Sequence, residues 1–505
     1  MQTIKSNYKE KSYITILFAF ITALSLFRIY YILNCPFDLS PDEAHYWEWS
    51  RRLDLSYYSK GPLIAYLIYI GTALFGDTVF GVRFFAVVFS FLSSFFLFLI
   101  GKELYDTKTG VIAGIIFQII PLFSVYGVLF TIDSPFIFFW ILSLFLFLKS
   151  LNSCTASDKS VNITLWILLG ISIGIGLLAK YSMAFFYICA FLYMILNKEK
   201  RELLFTKEPY ISFLISILLF SPVILWNAKN NWVTLRHTAG QAHAYDGLQF
   251  QFKDLIEFIG SQFGVITPLL LIIIFYSLFL FRKKEQGNFL FWFSIPILVF
   301  FVLKSIQGKV QGNWPMPGYI TGLIAFSKFS VEQFFYRKSW LKITIVLAIL
   351  ISFTITAFAH YPFLLNLPPK NDPSVRLYGW NALGKKVSEL YKELPGPVFI
   401  FSDKYQISSE LAFYVEGKPF TYCINIDRRM NQYDIWPDFH NFIHYNAIFV
   451  RSGDVSIPDD VRKAFGKVEK NLFTIYTKNR DRIKDFSIFI CYDFKGMKER
   501  KPDTY

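Results

Sequence analysis

Ser40-Pro41-Asp42-Glu43-Ala44-His45-Tyr46 stands directly after the first long apolar run of the chain, Tyr13 to Leu33. A run of that length crosses a bilayer as one helix. Two adjacent carboxylates therefore sit at the mouth of a membrane, where charge is costly and usually functional. Further along, Thr131-Ile132-Asp133-Ser134-Pro135-Phe136 repeats the arrangement between two more apolar runs. Acidic spots at the ends of different spans, on one side, predict a catalytic site at a membrane surface.

The rest of the chain supports that setting. Of 505 residues, 54% are hydrophobic and 20% aromatic, and only 17% are charged, against roughly a quarter in soluble proteins. The phenylalanines lie largely within runs such as Phe84 to Ile100. The formal charge of +14 fits lysines and arginines gathered in cytoplasmic loops, and nucleic acid is not an expected partner. Cys35, Cys154, Cys189, Cys423 and Cys491 show no CxxC spacing for a thiolate metal site, although Cys423 and Cys491 share the C-terminal segment and could pair. Lys5, Lys9 and Lys11 precede a run too long for a signal-peptide core, which ends in Arg28, tyrosines and Asn34. It reads as an uncleaved first span.

Apolar runs lie near 13–33, 80–100, 111–127, 134–149, 162–179, 182–197, 209–227, 265–281, 288–304, 315–329 and 341–360. With the N-terminus inside, the inner segments carry Lys5/Lys9/Lys11, Lys102/Lys108, Lys149/Lys159, Lys198/Lys200/Arg201, Arg282/Lys283/Lys284 and Arg337/Lys338. All are basic, as the positive-inside bias requires. The expectation is about 11 to 13 transmembrane helices, with short or kinked ones hidden in the long outer loops. The apolar stretch 62–75 is half a span, interfacial or re-entrant. After Tyr361 the composition changes through a Pro-rich linker, 366–373. Helical spacing from Trp380 to Leu394 and Ile407 to Tyr414 follows, with strands at Val398 to Phe401, Asn446 to Arg451 and Leu472 to Thr477. The division expected is a membrane domain, 1–360, and a small α/β domain on the outer face, 361–505.

Ser40-Pro41-Asp42-Glu43 is also a good helix start, with Pro in the first turn and acids at the positive dipole end. The functional reading rests on the neighbours: His45, Tyr46, Trp47 and Trp49, then Tyr57-Tyr58-Ser59-Lys60-Gly61-Pro62. A carboxylate can take a proton from an acceptor hydroxyl or amine, and an interfacial lysine can hold a phosphate. Aromatic rings can stack on a sugar or pack against a lipid chain. Asp133 reads equally as the N-cap of the following span. Lys180 lies at a minimal connection against the inside bias, so a carboxylate or lipid phosphate partner is expected. The outer loop from Trp226 to His243 carries Lys229, Trp232, Arg236 and His237; another carries Lys304, Lys309, Asn313 and Trp314. Such loops suit an anionic, partly lipidic substrate, with interfacial anchoring as the alternative. No nucleotide-binding phosphate loop, serine-hydrolase elbow or zinc-protease helix motif occurs, so an activated substrate must arrive attached to something, such as a lipid carrier.

Asp42-Glu43, Tyr58-Ser59-Lys60-Gly61-Pro62-Leu63, Gly81-Val82-Arg83-Phe84 and Thr131-Ile132-Asp133-Ser134-Pro135-Phe136 together resemble the GT-C polyprenyl-phosphate-dependent glycosyltransferases. Within these the chain looks most like the bacterial protein-mannosyltransferase and lipid A aminoarabinose or galacturonic acid transferase group. The resemblance covers 13–360 and is most specific in the first 140 residues. It implies a polytopic α-helical GT-C fold with an extracytoplasmic C-terminal domain, in the bacterial inner membrane. The implied donor is a sugar on undecaprenyl phosphate; the acceptor is lipid A, another surface glycan or a protein, reached by inverting displacement. Asp42 takes the role of general base or acceptor-positioning carboxylate, with Glu43 beside it and Asp133, from the second acidic motif, as the alternative base; these three are the expected catalytic residues. Lys60 takes the contact to the carrier phosphate, where relatives often read Lys-Pro-Pro and this chain has Lys-Gly-Pro. Arg83 matches a family arginine without an assigned role. Tyr58, Lys180, Arg236, His237 and Lys309 complete the expected substrate and phosphate site. No cofactor is required, a divalent cation at Asp42, Glu43 and His45 being the alternative. Glu410 to Tyr414 and Asn431 to Trp436 resemble the C-terminal domain of a bacterial subgroup, as Pro222 to Asn227 and Gly312 to Pro317 resemble its membrane part. A lipid-linked sugar transporter would instead place charges near the midplane and show internal repeats. An O-antigen ligase or polymerase would rely on arginine and histidine in a large outer loop.

Overall fold

The structure is a computed structural model that describes residues 2–153, 163–241, 250–336, 339–365, 367–476 and 482–498. Cys154, Lys159, His243, Arg337, Lys338, Asn366 and Thr477, named above, lie outside them. The chain divides into two compact units. One comprises Met1–Ile32, Arg83–Ala228 and Gln241–Tyr361; the other comprises Leu33–Val82, Lys229–Gly240 and Pro362–Tyr505. One seam falls after Tyr361, and the second unit also takes in the two earlier segments Leu33–Val82 and Lys229–Gly240.

The first unit is helical, because its apolar runs leave no backbone partner except the helix itself in lipid. Among the described residues six helices are long and apolar enough to cross a membrane: Glu10–Asn34, Val79–Leu104, Asp133–Asn152, Glu208–Lys229, Glu285–Ser305 and Trp340–His360. A seventh candidate is the pair Phe252–Val265 and Pro268–Phe281, bent by 96°. Its break has a local cause: Pro268 follows Thr267, which sits at φ 78°, a strained value for a β-branched residue. The apolar helices Thr107–Ile119, Ile163–Ala179 and Tyr181–Leu196 are shorter. The helix Met316–Tyr336 is long enough but carries Lys328 and Glu332. Among the described residues fewer helices reach full span length than there are apolar runs, and Pro121 and Pro268 each fall inside a run where one helix stops and another starts. Small residues let the helices approach closely. A methyl group on Gly170 would meet the Ser212 carbonyl oxygen at 2.5 Å, and one on Gly101 would meet Gly110 Cα at 2.7 Å. Arg28, 1% exposed on the first span, donates to Ser90, Gln118 and Ser124 rather than to a carboxylate.

The second unit is built on a five-stranded sheet of β1 (Val398–Ser402), β2 (Thr421–Cys423), β3 (Asn446–Ser452), β4 (Phe465–Tyr476) and β5 (Arg482–Phe494). The order is β2-β1-β3-β5-β4, with β1 parallel to β2 and β3, and β5 antiparallel to β3 and β4. Alternation sorts the strands by shape. Ile400, Ile448, Val450 and Ile488 face the amphipathic helices Trp380–Glu393 and Tyr405–Tyr414. Phe399, Phe401, Phe449 and Phe489 face the other way, into an aromatic layer with Phe439, Phe465 and Phe494. Burial on both faces makes the central strands continuously apolar and easy to find, whereas β2 has three residues and left little signal. Cys423 and Cys491 are unpaired. They lie on β2 and β5, with β1 and β3 between them, a separation of about 14 Å at the ordinary strand spacing, too far for a disulfide.

The segment Leu33–Val82 belongs to this unit for specific reasons. Asp38 accepts from the Trp380 and Asn381 amides at 2.8 and 3.2 Å, satisfying the start of a helix whose preceding residue, Gly379 at φ 86°, has no side chain to do so. Leu39 N donates to the Tyr414 hydroxyl at 2.7 Å. The half-span expected at 62–75 is the helix Leu63–Phe75, with Tyr69, Ile70, Leu74 and Phe75 exposed.

Candidate functional site

The sequence-predicted residues fall into two constellations, one in each unit. The first begins at the helix Pro41–Ser50. Ser40 Oγ accepts from Glu43 N at 3.3 Å, and the Glu43 carboxylate accepts from Ser40 N at 2.9 Å, a complete capping box. Glu43 is fully buried in that role, while Asp42 is exposed. The pair of carboxylates is thereby split: one starts the helix and the other faces outward. Asp42 Oδ1 accepts from the Tyr405 hydroxyl at 3.4 Å, and burial pushes that phenol's pKa above its ordinary value.

The far face of the same helix is locked into the sheet domain. Trp49 Nε1 donates to His45 Nε2 at 3.1 Å, so the ring proton lies on Nδ1, which donates to Ser409 Oγ at 3.0 Å. With both nitrogens engaged, burial holds His45 neutral, its pKa lowered to about 3. His45 is therefore a core residue of this unit and not a neighbour of Asp42 in chemistry. Glu48, fully buried, accepts from the Tyr433 hydroxyl, and burial raises its pKa to about 7. Arg52 stacks over Trp436, 4.4 Å from the ring centre.

The loop that follows carries Lys60. Trp49 stacks on Tyr57 with ring centres 4.3 Å apart, and Tyr57 N donates to the Lys60 carbonyl at 3.2 Å, closing a tight turn. Gln432 Oε1 accepts from Tyr58 N at 2.7 Å. From the segment Lys229–Gly240, Thr234 Oγ1 donates to the Tyr57 carbonyl at 3.1 Å, and His237 lies against Tyr58 with ring centres 4.7 Å apart. Burial first, then the charges of Lys60 and Arg429, lower the His237 pKa to about 4. Asp42, Glu43, Tyr58, Lys60, Arg236 and His237 are thus in one compact unit. Arg236 is exposed on the helix Val233–Gln241.

The second constellation surrounds Asp133 in the membrane unit. Asp133 Oδ1 accepts from Lys180 Nζ at 2.7 Å and Oδ2 from Asn313 Nδ2 at 3.0 Å; Asn313 also reaches the Tyr126 hydroxyl at 2.9 Å. Lys180, anomalous by loop charge, has its carboxylate partner, and Asp133 is 5% exposed. Arg83 is buried at the start of the helix Val79–Leu104, and Lys309 is exposed. Sequence reasoning missed Glu48, Gln432 and Tyr433, although the motif from Asn431 to Trp436 had marked the right segment.

A family model described as dolichyl-phosphate-mannose-protein mannosyltransferase matches residues 59–226. Among solved structures, ArnT from Cupriavidus metallidurans bound to undecaprenyl phosphate superposes with a TM-score of 0.63 at 13% identity, over 94% of this chain and 97% of that one. The chain has the fold of that structure. In sequence the chain is 25% identical over 308 residues to the lipid A galacturonosyltransferase RgtD of Rhizobium johnstonii, covering 60% of this chain and 63% of that protein. It is 33% identical over 197 residues to the undecaprenyl phosphate-alpha-4-amino-4-deoxy-L-arabinose arabinosyl transferase of Wigglesworthia glossinidia brevipalpis, covering 35% of this chain and 34% of that protein. The matched segments span less than two thirds of these relatives' own lengths, and the structural likeness at 13% identity speaks for the fold.

Proposed function

We propose that the protein transfers a sugar from polyprenyl phosphate, in bacteria undecaprenyl phosphate, to lipid A or another envelope acceptor. The observation that carries this reading is the division of labour within Asp42-Glu43. Glu43 caps the helix and leaves Asp42 exposed beside Tyr405, in the same compact unit as Lys60 and His237. Asp42 accepts the proton of an acceptor hydroxyl or amine as that atom attacks the anomeric carbon. The bond from that carbon to the phosphate oxygen breaks, its electron pair leaves on the phosphate, and the configuration inverts. The chief electrostatic task is neutralising the charge on the departing phosphate, and Lys60 serves that end. Asp133, with Lys180 and Asn313 on its two oxygens, holds its own region in place instead of exchanging protons. A phosphate is already a good leaving group, so the scheme uses no cofactor, and chelation is expected to leave the rate unchanged. The charge pattern of the loops supports a cytoplasmic N-terminus and a periplasmic C-terminal domain in the inner membrane.

The test is to supply purified protein in lipid bilayers with undecaprenyl phosphate carrying aminoarabinose, galacturonic acid or hexoses, and with lipid A. Release of undecaprenyl phosphate matched by sugar on the acceptor is the expected result. Movement of intact donor across the bilayer without cleavage would instead make the protein a carrier.

A further inference from the structure

The loop from Asn425 to Asn431 takes no part in the scheme above, yet it is one of the better-anchored segments of the outer unit. Arg428 donates to both oxygens of Asp434 at 2.7 and 2.8 Å and to the Cys423 and Ile424 carbonyls at 3.0 and 2.8 Å. Asn431 and Asp434 form a second capping box just beyond it. Gln432 then accepts from Tyr58 N, two residues before Lys60. The one residue between these anchors with a long cationic side chain left over is Arg429. It is exposed, and its guanidinium makes no hydrogen bond or ion pair among the described residues. Next to it in sequence Arg428 is wholly engaged, so the two arginines have opposite fates within one rigid turn.

We infer that Arg429 is a further substrate-contacting residue, one that gives a second positive charge to a phosphate oxyanion site headed by Lys60 from the first outer loop. The inference rests on the transferase reading and extends it to the C-terminal domain. Two independent features support it. The Arg429 charge acts on His237, as that of Lys60 does, and on Tyr405, whose hydroxyl donates to Asp42, so it is felt by both the basic and the acidic residues of the site. His237 is 6% exposed and its Nδ1 has no hydrogen-bond partner among the described residues, a buried polar atom that an anionic ligand's oxygen would satisfy. A planar guanidinium suits a phosphate because two of its N–H groups can meet two oxygens at once. The phosphate could be the carrier's or one on the lipid A acceptor; the chemistry of recognition is the same.

The experiment measures binding by full-length protein in nanodiscs, with no turnover required. The probes are undecaprenyl phosphate and, separately, lipid A bearing both phosphates, each against wild type, Arg429→Ala and Arg429→Lys. Arg429→Ala is expected to weaken one of the two by about ten- to a hundredfold, the range for a hydrogen bond to a charged group. Arg429→Lys should recover part of the loss, with the melting temperature unchanged in both variants. Loss confined to undecaprenyl phosphate assigns the carrier's phosphate, and loss confined to lipid A assigns the acceptor's. Unchanged affinity for both in Arg429→Ala overturns the inference and leaves the transferase reading standing. Failure of the wild type to bind either probe overturns both.

Discussion

Asp42 and Asp133 look alike in sequence, each an acid at the end of an apolar run with a proline beside it, and the folded chain treats them in opposite ways. Asp42 is exposed and accepts from the Tyr405 hydroxyl at 3.4 Å, while Glu43 does the structural work next door. Asp133 is 5% exposed, with Lys180 on one oxygen and Asn313 on the other. The difference lies in what surrounds each group. A carboxylate buried against a cation and an amide is closed to an incoming acceptor. One facing outward, on a helix held by other residues, is open to it. Position at a span end therefore identifies candidates for chemistry, and burial separates them.

The sharpest break of the comparison is Asp42→Asn. It should lower the transfer rate by about 10²- to 10⁴-fold, the usual worth of a general base, and leave the melting temperature unchanged. Next is Lys180→Met, which strands the Asp133 carboxylate in a buried site and should destabilise by about 3–5 kcal/mol. The double variant Asp133→Asn/Lys180→Met should recover much of that loss, since no buried charge is left alone; thermal melts of the three proteins test it. Tyr433→Phe removes the donor to buried Glu48 and should cost about 1–3 kcal/mol in the second unit. Glu48 itself adds a pH dependence. Burial lifts its pKa from 4.5 to about 7, so the folded chain keeps a proton that the unfolded chain releases. Its stability contribution is full below about pH 4.5 and is lost as the pH rises to about 7. Glu48→Gln, which keeps an oxygen for Tyr433, should show a flatter change of melting temperature across that window than the wild type. The smallest effect is Ser40→Ala, expected to cost about 1 kcal/mol through the lost cap.

How much of this could be read from the sequence follows from the range of the forces involved. The apolar runs, the helix Trp380–Glu393 and the strand at Val398 are local patterns, and each appears where its periodicity predicts. The helix start at Ser40 was legible for the same reason, and the Ser-x-x-Glu spacing from Ser40 to Glu43 is the local signature of the acid that caps it. What stayed hidden depends on pairings across hundreds of residues: Glu48 with Tyr433, Tyr58 with Gln432, and Asp38 with Trp380. No spacing rule links such positions. Lys180 is instructive because loop charge alone said that it needed a partner, without saying that the partner was Asp133. The bends at Pro121 and Thr267-Pro268 were written as prolines in plain sight, but hydropathy windows average over them.

The most direct test of the account is to measure sugar transfer and thermal melting side by side for Asp42→Asn and Asp133→Asn in the same bilayer preparation. The account predicts that Asp42→Asn loses transfer and keeps its melting temperature, while Asp133→Asn melts earlier and retains transfer at temperatures where it is folded. Full transfer by Asp42→Asn, or abolished transfer by a fully folded Asp133→Asn, would contradict it and move the proton acceptor to the buried acid.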